Sequence, residues 1–422
     1  MVNWVLMVAF HFPPQRGSSG IQRTLKFAQY LPEAGWQPLV LSAHPRAYDA
    51  TSADQLPEIA PGTVVRRAFA LNTGRHLSLR GRYLGLMALP DRWCSWLLGA
   101  VPAGLAMVRR YRPRVIWSTY PIATAQLIGY ALRRLTGLPW IADMRDPMFD
   151  ADYPAPGPVR RAHQWVERLT VTHSSMVVCT TPGAVAVYRD RYPAIPKARF
   201  RLIENAYDEE NFSAAEAALA SAAAAPRDGP LVLLHSGVVY PSERDPSALF
   251  EAVATLLASG AIGPDSVRIV LRASGHDEWI AALIARHAIG AVVSLAPPLP
   301  YAEALREMLG ADGLLILQAS NCNQQIPAKL YEYLRARRPI LGLTDPAGDT
   351  AQALRQAGID TVAPLDASAA IAPALLDFIA RLRAGTAPLA SDTIIASHSR
   401  QARARALGLL LDELSAQSAA VD

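Results

Sequence analysis

Two Rossmann-like α/β halves are what the sequence predicts, and three observations carry that expectation. At 422 residues the chain is too long for one ordinary core, and two domains of about 200 residues each follow. A strand, a glycine-bearing loop and a helix open the chain and recur from Leu231 onward, as two doubly wound halves require. Strand-like apolar runs then alternate with helix-spaced segments through both halves, the reading of a parallel sheet covered by helices. The expected division is an N-terminal domain over 1–212, an alanine-rich linker over 213–230, a C-terminal domain over 231–390 and a terminal helical segment over 391–422.

Composition narrows the function classes. Hydrophobic residues make up 51% of the chain, much of it alanine, and no run approaches the roughly 18 apolar residues of a membrane span. The apolar start, Met1 to Phe10, lacks the basic leader of a signal peptide. Cys94, Cys179 and Cys322 are far apart and odd in number, so neither a disulfide framework nor a zinc site is expected, which fits a reducing cytoplasm. A formal charge of +5 and a pI near 9.2 suit anionic partners such as nucleotide diphosphates or acidic lipid. Nucleic-acid signatures are absent.

In the first half, the opening strand runs into His11-Phe12-Pro13-Pro14-Gln15-Arg16-Gly17-Ser18-Ser19-Gly20, and residues 21, 25, 28 and 31 then keep helical spacing. Gly17 and Gly20 permit close approach of the backbone to a ligand, or serve a tight turn. A second strand is expected at 37–42 and a short one near Val64-Val65. The stretch from Tyr83 to Leu98 is dense in apolar groups, Trp93 and Trp96 among them, and is flanked by Arg75, Arg80, Arg82, Arg109, Arg110, Arg112 and Arg114. Two readings fit it: an interfacial segment on an anionic membrane, or a buried helix pair with a basic rim. After a strand at 115–118 and a helix at 122–135, the run Pro139-Trp140-Ile141-Ala142-Asp143-Met144-Arg145-Asp146-Pro147 gathers charge at the end of a strand. Strand carboxyl ends are where chemistry collects; an internal Arg–Asp pair that orders the loop is the other reading.

The second half is organised around residues 314–343. Strand-like Leu314–Leu317 and Pro339–Leu343 bracket a polar loop and a helix that Pro327 is suited to open, which makes a βαβ unit. Anions bind where such a loop enters a helix, at amides left unpaired. Leu330 and Leu334 share the helix's buried stripe, and Glu332 is either a solvated charge or a functional one. Upstream, the strand at 231–236 ends in Gly237 before a loop that contains Arg244. Near the end, residues 393–416 predict an amphipathic helix with Leu409 on its apolar stripe.

The run Ile326-Pro327-Ala328-Lys329-Leu330-Tyr331-Glu332-Tyr333-Leu334 through Pro339-Ile340-Leu341 resembles the P-x-K-x-x-E-Y-L…P-I-L segment of the group 1 glycosyltransferases, retaining sugar-nucleotide enzymes of the GT-B fold. Residues 139–147 resemble that family's D-x-R-D-P strand end. Residues 203–212 resemble its I-x-N-G-x-D hinge, with Ala206 in place of the glycine, and the Gly17–Gly20 loop resembles its P-P…G-G loop. The resemblance implies two Rossmann-like domains facing across a cleft, with the C-terminal helix crossing back to the first domain. It implies transfer of a sugar from a nucleotide-sugar donor to a glycan or lipid-linked acceptor, with retention and without metal or cofactor, in cell-surface or exopolysaccharide assembly at the cytoplasmic face of the membrane.

By the same resemblance, Glu332 holds the donor ribose and Arg244 clamps its diphosphate, with Gly17, Gly20, Gly237 and Lys329 completing the donor site. A second cation comes from Lys329 or Arg272. His11, Asp143, Arg145, Asp146 and Asn205 lie on the cleft or acceptor side. Two departures stand out. Gln324 occupies the first position of the family's E-x(7)-E pair, and Arg337 replaces the glycine that ends the helix, where a left-handed arginine costs roughly 1 kcal/mol; a different helix end is therefore expected. A sugar-nucleotide epimerase on the same fold, or a non-catalytic relative that binds partners, are the alternative functions.

Overall fold

The computed structural model describes residues 2–17, 20–151, 153–221 and 229–419. They form two compact units, one over 1–205 and 400–422, the other over 206–399. The first is built on β1 (Asn3–Val8), β2 (Trp36–Ala43), β3 (Val64–Ala68), β4 (Val115–Thr119), β5 (Trp140–Arg145), β6 (Met176–Cys179) and β7 (Phe200–Leu202). These strands pair in parallel in the order β3-β2-β1-β4-β5-β6-β7. A parallel sheet is covered on both faces, and β1 shows it by alternation. Leu6 and Val8 pack with Leu39, Leu41, Trp96 and Trp140, while Val5 and Met7 pack with Trp36, Val40 and Trp117 on the other side.

The second unit is built on β8 (Leu231–Ser236), β9 (Val267–Arg272), β10 (Val293–Ala296), β11 (Gly313–Gln318), β12 (Ile340–Thr344) and β13 (Val362–Ala363). They are also parallel, in the order β10-β9-β8-β11-β12-β13. The expected βαβ unit is present: β11 and β12 pair from Leu314↔Ile340 to Gln318↔Thr344 across the helix Lys329–Arg335.

Three details differ from expectation. The first unit ends at Asn205 rather than 212, and residues 213–221 are helix rather than linker, because Glu209–Ser221 packs within the second unit. Phe212 and Ala215 join Leu330 and Leu334 in its core, and alanine, read as low complexity, is the strongest helix former. The rest of the expected linker, 222–228, lies outside the described residues. Residues 393–416 split between Asp392–Ser397 in the second unit and Arg400–Ala419 in the first. The latter helix buries Ala404, Leu407, Leu411 and Leu414 against the β1 face, and Trp36 Nε1 donates to Asp412; Leu409 is 70% exposed, off the buried stripe. The helix Lys329–Arg335 ends with Arg337 at a left-handed φ of 53°, despite its side chain, and the guanidinium pairs with Asp392.

The tryptophan-bearing stretch divides between the two readings. Trp96 is fully buried, and Trp93 packs on Phe10 with its Nε1 donating to the Ala47 carbonyl. The exposed apolar groups are instead leucines: Leu79, Leu84 and Leu86 are 80%, 74% and 82% exposed. No helix among the described residues is long and apolar enough to cross a membrane.

Candidate functional site

In the second sheet the strand order reverses between β8 and β11, the place where open α/β sheets leave a ligand crevice outside the strand ends. β8 runs out through His235 and Ser236 into Gly237, whose φ of 119° suits only glycine. A Cβ there would lie 3.1 Å from Lys329 Nζ, so bare backbone is what seats the lysine. Lys329 Nζ is 2.9 Å from His235 Nε2. His235 Nδ1 is 2.9 Å from the Leu315 carbonyl; a carbonyl only accepts, so the hydrogen sits on Nδ1 and Nε2 is left as an acceptor. Arg244 donates to the Val238 carbonyl at 2.6 Å and lies over the Tyr240 ring.

The helix Lys329–Arg335 is buried on every side but one. Only Lys329 and Glu332, three residues apart, escape full burial, so they share an edge. Glu332 accepts a hydrogen bond from the Tyr301 hydroxyl at 2.8 Å, and Tyr333 accepts one from the Ser236 amide at 2.8 Å. Burial, and next the neighbouring Arg244, hold the Lys329 amine well below the ordinary lysine range, with Glu332 opposing them. The helix has seven residues, so the Lys329 and Arg244 side chains, and not a long helix dipole, are the basic groups here. Arg272, the other basic residue expected at this site, gives its guanidinium to Glu307 at 2.5 and 2.8 Å.

Gln324 is exposed in the loop that leads to this helix. That loop is tied down by the Gln318 amide, which donates to the Cys322 and Gln325 carbonyls at 2.7 and 2.8 Å, and by Asn323, which donates to Asp345 at 2.6 Å. A cavity of about 500 Å³ is lined by Asp245, Gln318, Ser320, Asp345, Pro364 and Asp366 among others. It contains none of Arg244, Lys329 or Glu332, and its three aspartates are a poor lining for a diphosphate.

In the first unit the order reverses between β1 and β4. The charges of the 143–146 run separate into distinct tasks. Asp143 is fully buried and takes both arms of Arg23, at 2.7 and 2.9 Å, with the Thr119 hydroxyl at 2.7 Å. Arg23 also donates to the carbonyls of Ile203 and Glu204, so this pair orders the interior. Arg145 has a left-handed φ of 62°, strain of a kind that gathers at functional sites, and its Nε has no hydrogen-bond partner among the described residues. Burial, and secondarily Arg145, push the half-buried His11 down to about 4. Asp146 accepts from the Thr180 hydroxyl at 3.0 Å, and the adjoining loop is held by Glu167, which accepts from the Met148 amide and from Arg191. Asn205 is half-buried where the first unit ends. Gly17 is left-handed, at φ 87°, and Gly20 is the buried first residue of the helix Gly20–Tyr30.

Thus Gly237, Arg244, Lys329 and Glu332 are gathered in the second unit, and His11 with Arg145 in the first, while Asp143 serves the interior. His235, Tyr301, Arg23 and Thr119 escaped sequence reading; His235, next to Ser236-Gly237 at a strand end, had the one usable signal. Among the described residues no group of His, Cys, Asp or Glu side chains is placed to hold a metal ion.

Two parallel Rossmann-like sheets, each with its own switch point, are the GT-B fold. Residues 19–206 match the family model of the glycosyl transferase 4-like domain. Sucrose-phosphate synthase of Thermosynechococcus elongatus is 16% identical, with 100% of each chain covered and a TM-score of 0.63. HepE of Anabaena, solved with UDP-glucose, is 14% identical over 99% of this chain and 100% of its own, at a TM-score of 0.59. The lipopolysaccharide outer core galactosyltransferase WaaB, in apo form, is 12% identical over 96% and 99%, at 0.59. These likenesses speak for the fold. No curated protein matches the chain in sequence.

Proposed function

We propose that the chain moves a sugar from a nucleotide-sugar donor to a glycan or lipid-linked acceptor with retention of configuration, in cell-surface or exopolysaccharide assembly. The observation that carries this reading is the meeting of Gly237, Arg244, Lys329 and Glu332 at the switch point of the second sheet. The Arg244 guanidinium and the Lys329 amine beside exposed backbone suit a diphosphate, and a half-buried carboxylate on the same helix edge suits ribose hydroxyls. In this reading Arg244 and Lys329 neutralise the charge that grows on the leaving diphosphate, and the site needs no resident metal or cofactor. HepE, solved with UDP-glucose, supports a nucleotide-sugar donor; retention is supported by the resemblance of the 327–341 segment. Gln324, Gly17 and Gly20 belong to the donor side of the proposal, and His11, Arg145, Asp146 and Asn205 to the acceptor side.

Calorimetric titration of UDP, GDP and dTDP tests it. Wild type binds one of them; Glu332→Ala and Arg244→Ala each bind about ten- to a hundred-fold more weakly, the range of a charged hydrogen bond. Equal affinity in Glu332→Ala removes the glutamate from the donor site. Incubation with the matching nucleotide sugars then separates a transferase, which hydrolyses its donor slowly, from an epimerase or a binding protein.

The surface proposed to meet the acceptor's membrane is the stretch 75–87. Leu79 and Arg82 exchange backbone hydrogen bonds of 2.8 and 3.0 Å around a tight Arg80-Gly81 turn, which presents the exposed Leu79, Leu84 and Leu86 beside exposed Arg75, Arg80 and Arg82. Leucine with arginine complements an anionic lipid surface, each arginine contributing roughly 1 kcal/mol, and supports a reading of attachment at the inner, cytoplasmic face. Flotation with phosphatidylglycerol vesicles that is lost in neutral vesicles and in Arg80→Glu/Arg82→Glu supports this; equal flotation on both, or self-association through the leucines, overturns it.

A further inference from the structure

We propose that His235 is a positioning residue for the donor diphosphate, holding Lys329 against the Gly237 backbone, and that binding of a nucleoside diphosphate loads a proton onto Lys329. The inference rests on the donor-site reading above and adds to it a residue and a proton.

The geometry fixes each part. His235 is fully buried at the end of β8. With its Nδ1 hydrogen committed to the Leu315 carbonyl, Nε2 has a lone pair to offer, and Lys329 Nζ is what meets it, at 2.9 Å. Nζ also lies close to Gly237, where a Cβ would stand 3.1 Å away. The amine therefore sits beside both an imidazole acceptor and a bare backbone. Charged and titratable groups face it from each packed element: Arg244 from the loop after β8, His235 from β8 and Glu332 from its own helix. Tyr333, on that helix, accepts from the Ser236 amide. From Tyr301–Gly310, Tyr301 is engaged with Glu332 and Glu307 with Arg272.

Without ligand, burial and the Arg244 guanidinium, opposed by Glu332, hold the Lys329 amine well below the ordinary lysine range and so make its proton easy to lose, while burial above all holds the His235 imidazole well below its ordinary range. A diphosphate reverses the balance at Nζ, since opposite charge favours the ammonium. The step is R–NH2 + H⁺ → R–NH3⁺, the proton coming from solvent, with His235 neutral before and after and its Nε2 accepting one ammonium hydrogen. Because binding raises the lysine's pKa, affinity falls as pH rises through the free-site value.

The test uses the full chain, with UDP, GDP and dTDP titrated calorimetrically at one mildly alkaline pH in HEPES and in Tris. Proton uptake makes the observed heat differ between the buffers, less exothermic in Tris, whose ionisation enthalpy is the larger. Lys329→Arg keeps a cation that is charged at all working pH values and loses the buffer difference. His235→Gln, which retains an acceptor near the Nε2 position, keeps it; His235→Leu, with none, binds about tenfold more weakly. Thermal melts report whether each variant folds, and if His235→Leu does not, Lys329→Arg and His235→Gln decide. Identical wild-type heats in both buffers, or a folded His235→Leu that binds as tightly as wild type, overturn the inference. Absence of binding by all three nucleotides overturns the donor-site reading, and the inference with it.

Discussion

Gly237→Ala perturbs the proposed donor site by a single methyl group, and its two costs are separable. The first is conformational: at φ 119° an alanine is strained by roughly 1–2 kcal/mol, which in a unit of this size lowers the melting temperature by about 2–4 °C per kcal/mol. The second is positional. The new Cβ stands 3.1 Å from Lys329 Nζ and 3.5 Å from Cε, against an ordinary contact of about 3.5–4.0 Å. The lysine end is the flexible partner, so it yields, moving the nitrogen by about half an ångström. A charged hydrogen bond to phosphate has its optimum within about 2.7–2.9 Å, and a shift of that size weakens nucleoside diphosphate binding by roughly 1–2 kcal/mol, about five- to thirty-fold. Calorimetry and a thermal melt on the same sample measure the two costs. In the cycle with Lys329→Ala, the affinity losses fall short of additive, because both act through one amine. A variant that melts lower yet binds nucleotide as wild type does, or fully additive losses, would refute the placement of Lys329 at the donor.

Three further outcomes are expected. Arg335→Met removes four bonds to Glu209 and Glu216 and, both glutamates being nearly half exposed, destabilises by about 1–2 kcal/mol in urea unfolding. Arg335 holds both carboxyls below the usual glutamate range; that stabilisation is present above the unfolded glutamate value near ~4.3 and is lost as pH falls below it, so the variant has a flatter acid limb. Asp143→Asn strands the buried Arg23 and costs about 3–5 kcal/mol, read as a lower denaturation midpoint; a loss of activity at unchanged stability instead assigns Asp143 to chemistry. Gln324→Glu preserves or raises turnover by placing a charge near the transition state, whereas a loss beyond about thirty-fold in kcat/KM means the site is built around the amide.

The strands were legible because parallel strands buried on both faces read as apolar runs: Leu314–Leu317 and Val115–Ser118 fall inside β11 and β4. Lys329 and Glu332 were legible because P-x-K-x-x-E is a local pattern, three residues apart on one helix edge. What escaped was non-local. Arg23 meets Asp143 across 120 positions, and Lys329 meets His235 across 94, and no periodicity encodes such a pairing. Trp93 and Trp96 left two readings open for a different reason: composition marks a stretch as interfacial without saying which apolar side chains face inward. The left-handed Arg337 shows tertiary context overriding a local preference worth about 1 kcal/mol.

The bond from the Tyr207 amide to the His398 carbonyl, 3.2 Å long, and the bridge between Tyr207 and Ser399 join the two ends of the second unit. A segment whose ends lie side by side is, in topological terms, an insertion: residues 206–399 interrupt a first unit that resumes at Arg400 with the helix covering β1. Cutting the chain by function, at Leu231 and near 390, would strip Glu209 and Glu216 from Arg335. Excision at 206 and 399 keeps that clamp, and closing the gap between Asn205 and Arg400 with a few glycines restores a continuous first unit. Each half is thereby defined as a piece whose separate expression and cooperative melting can be tested, one contiguous and one spliced.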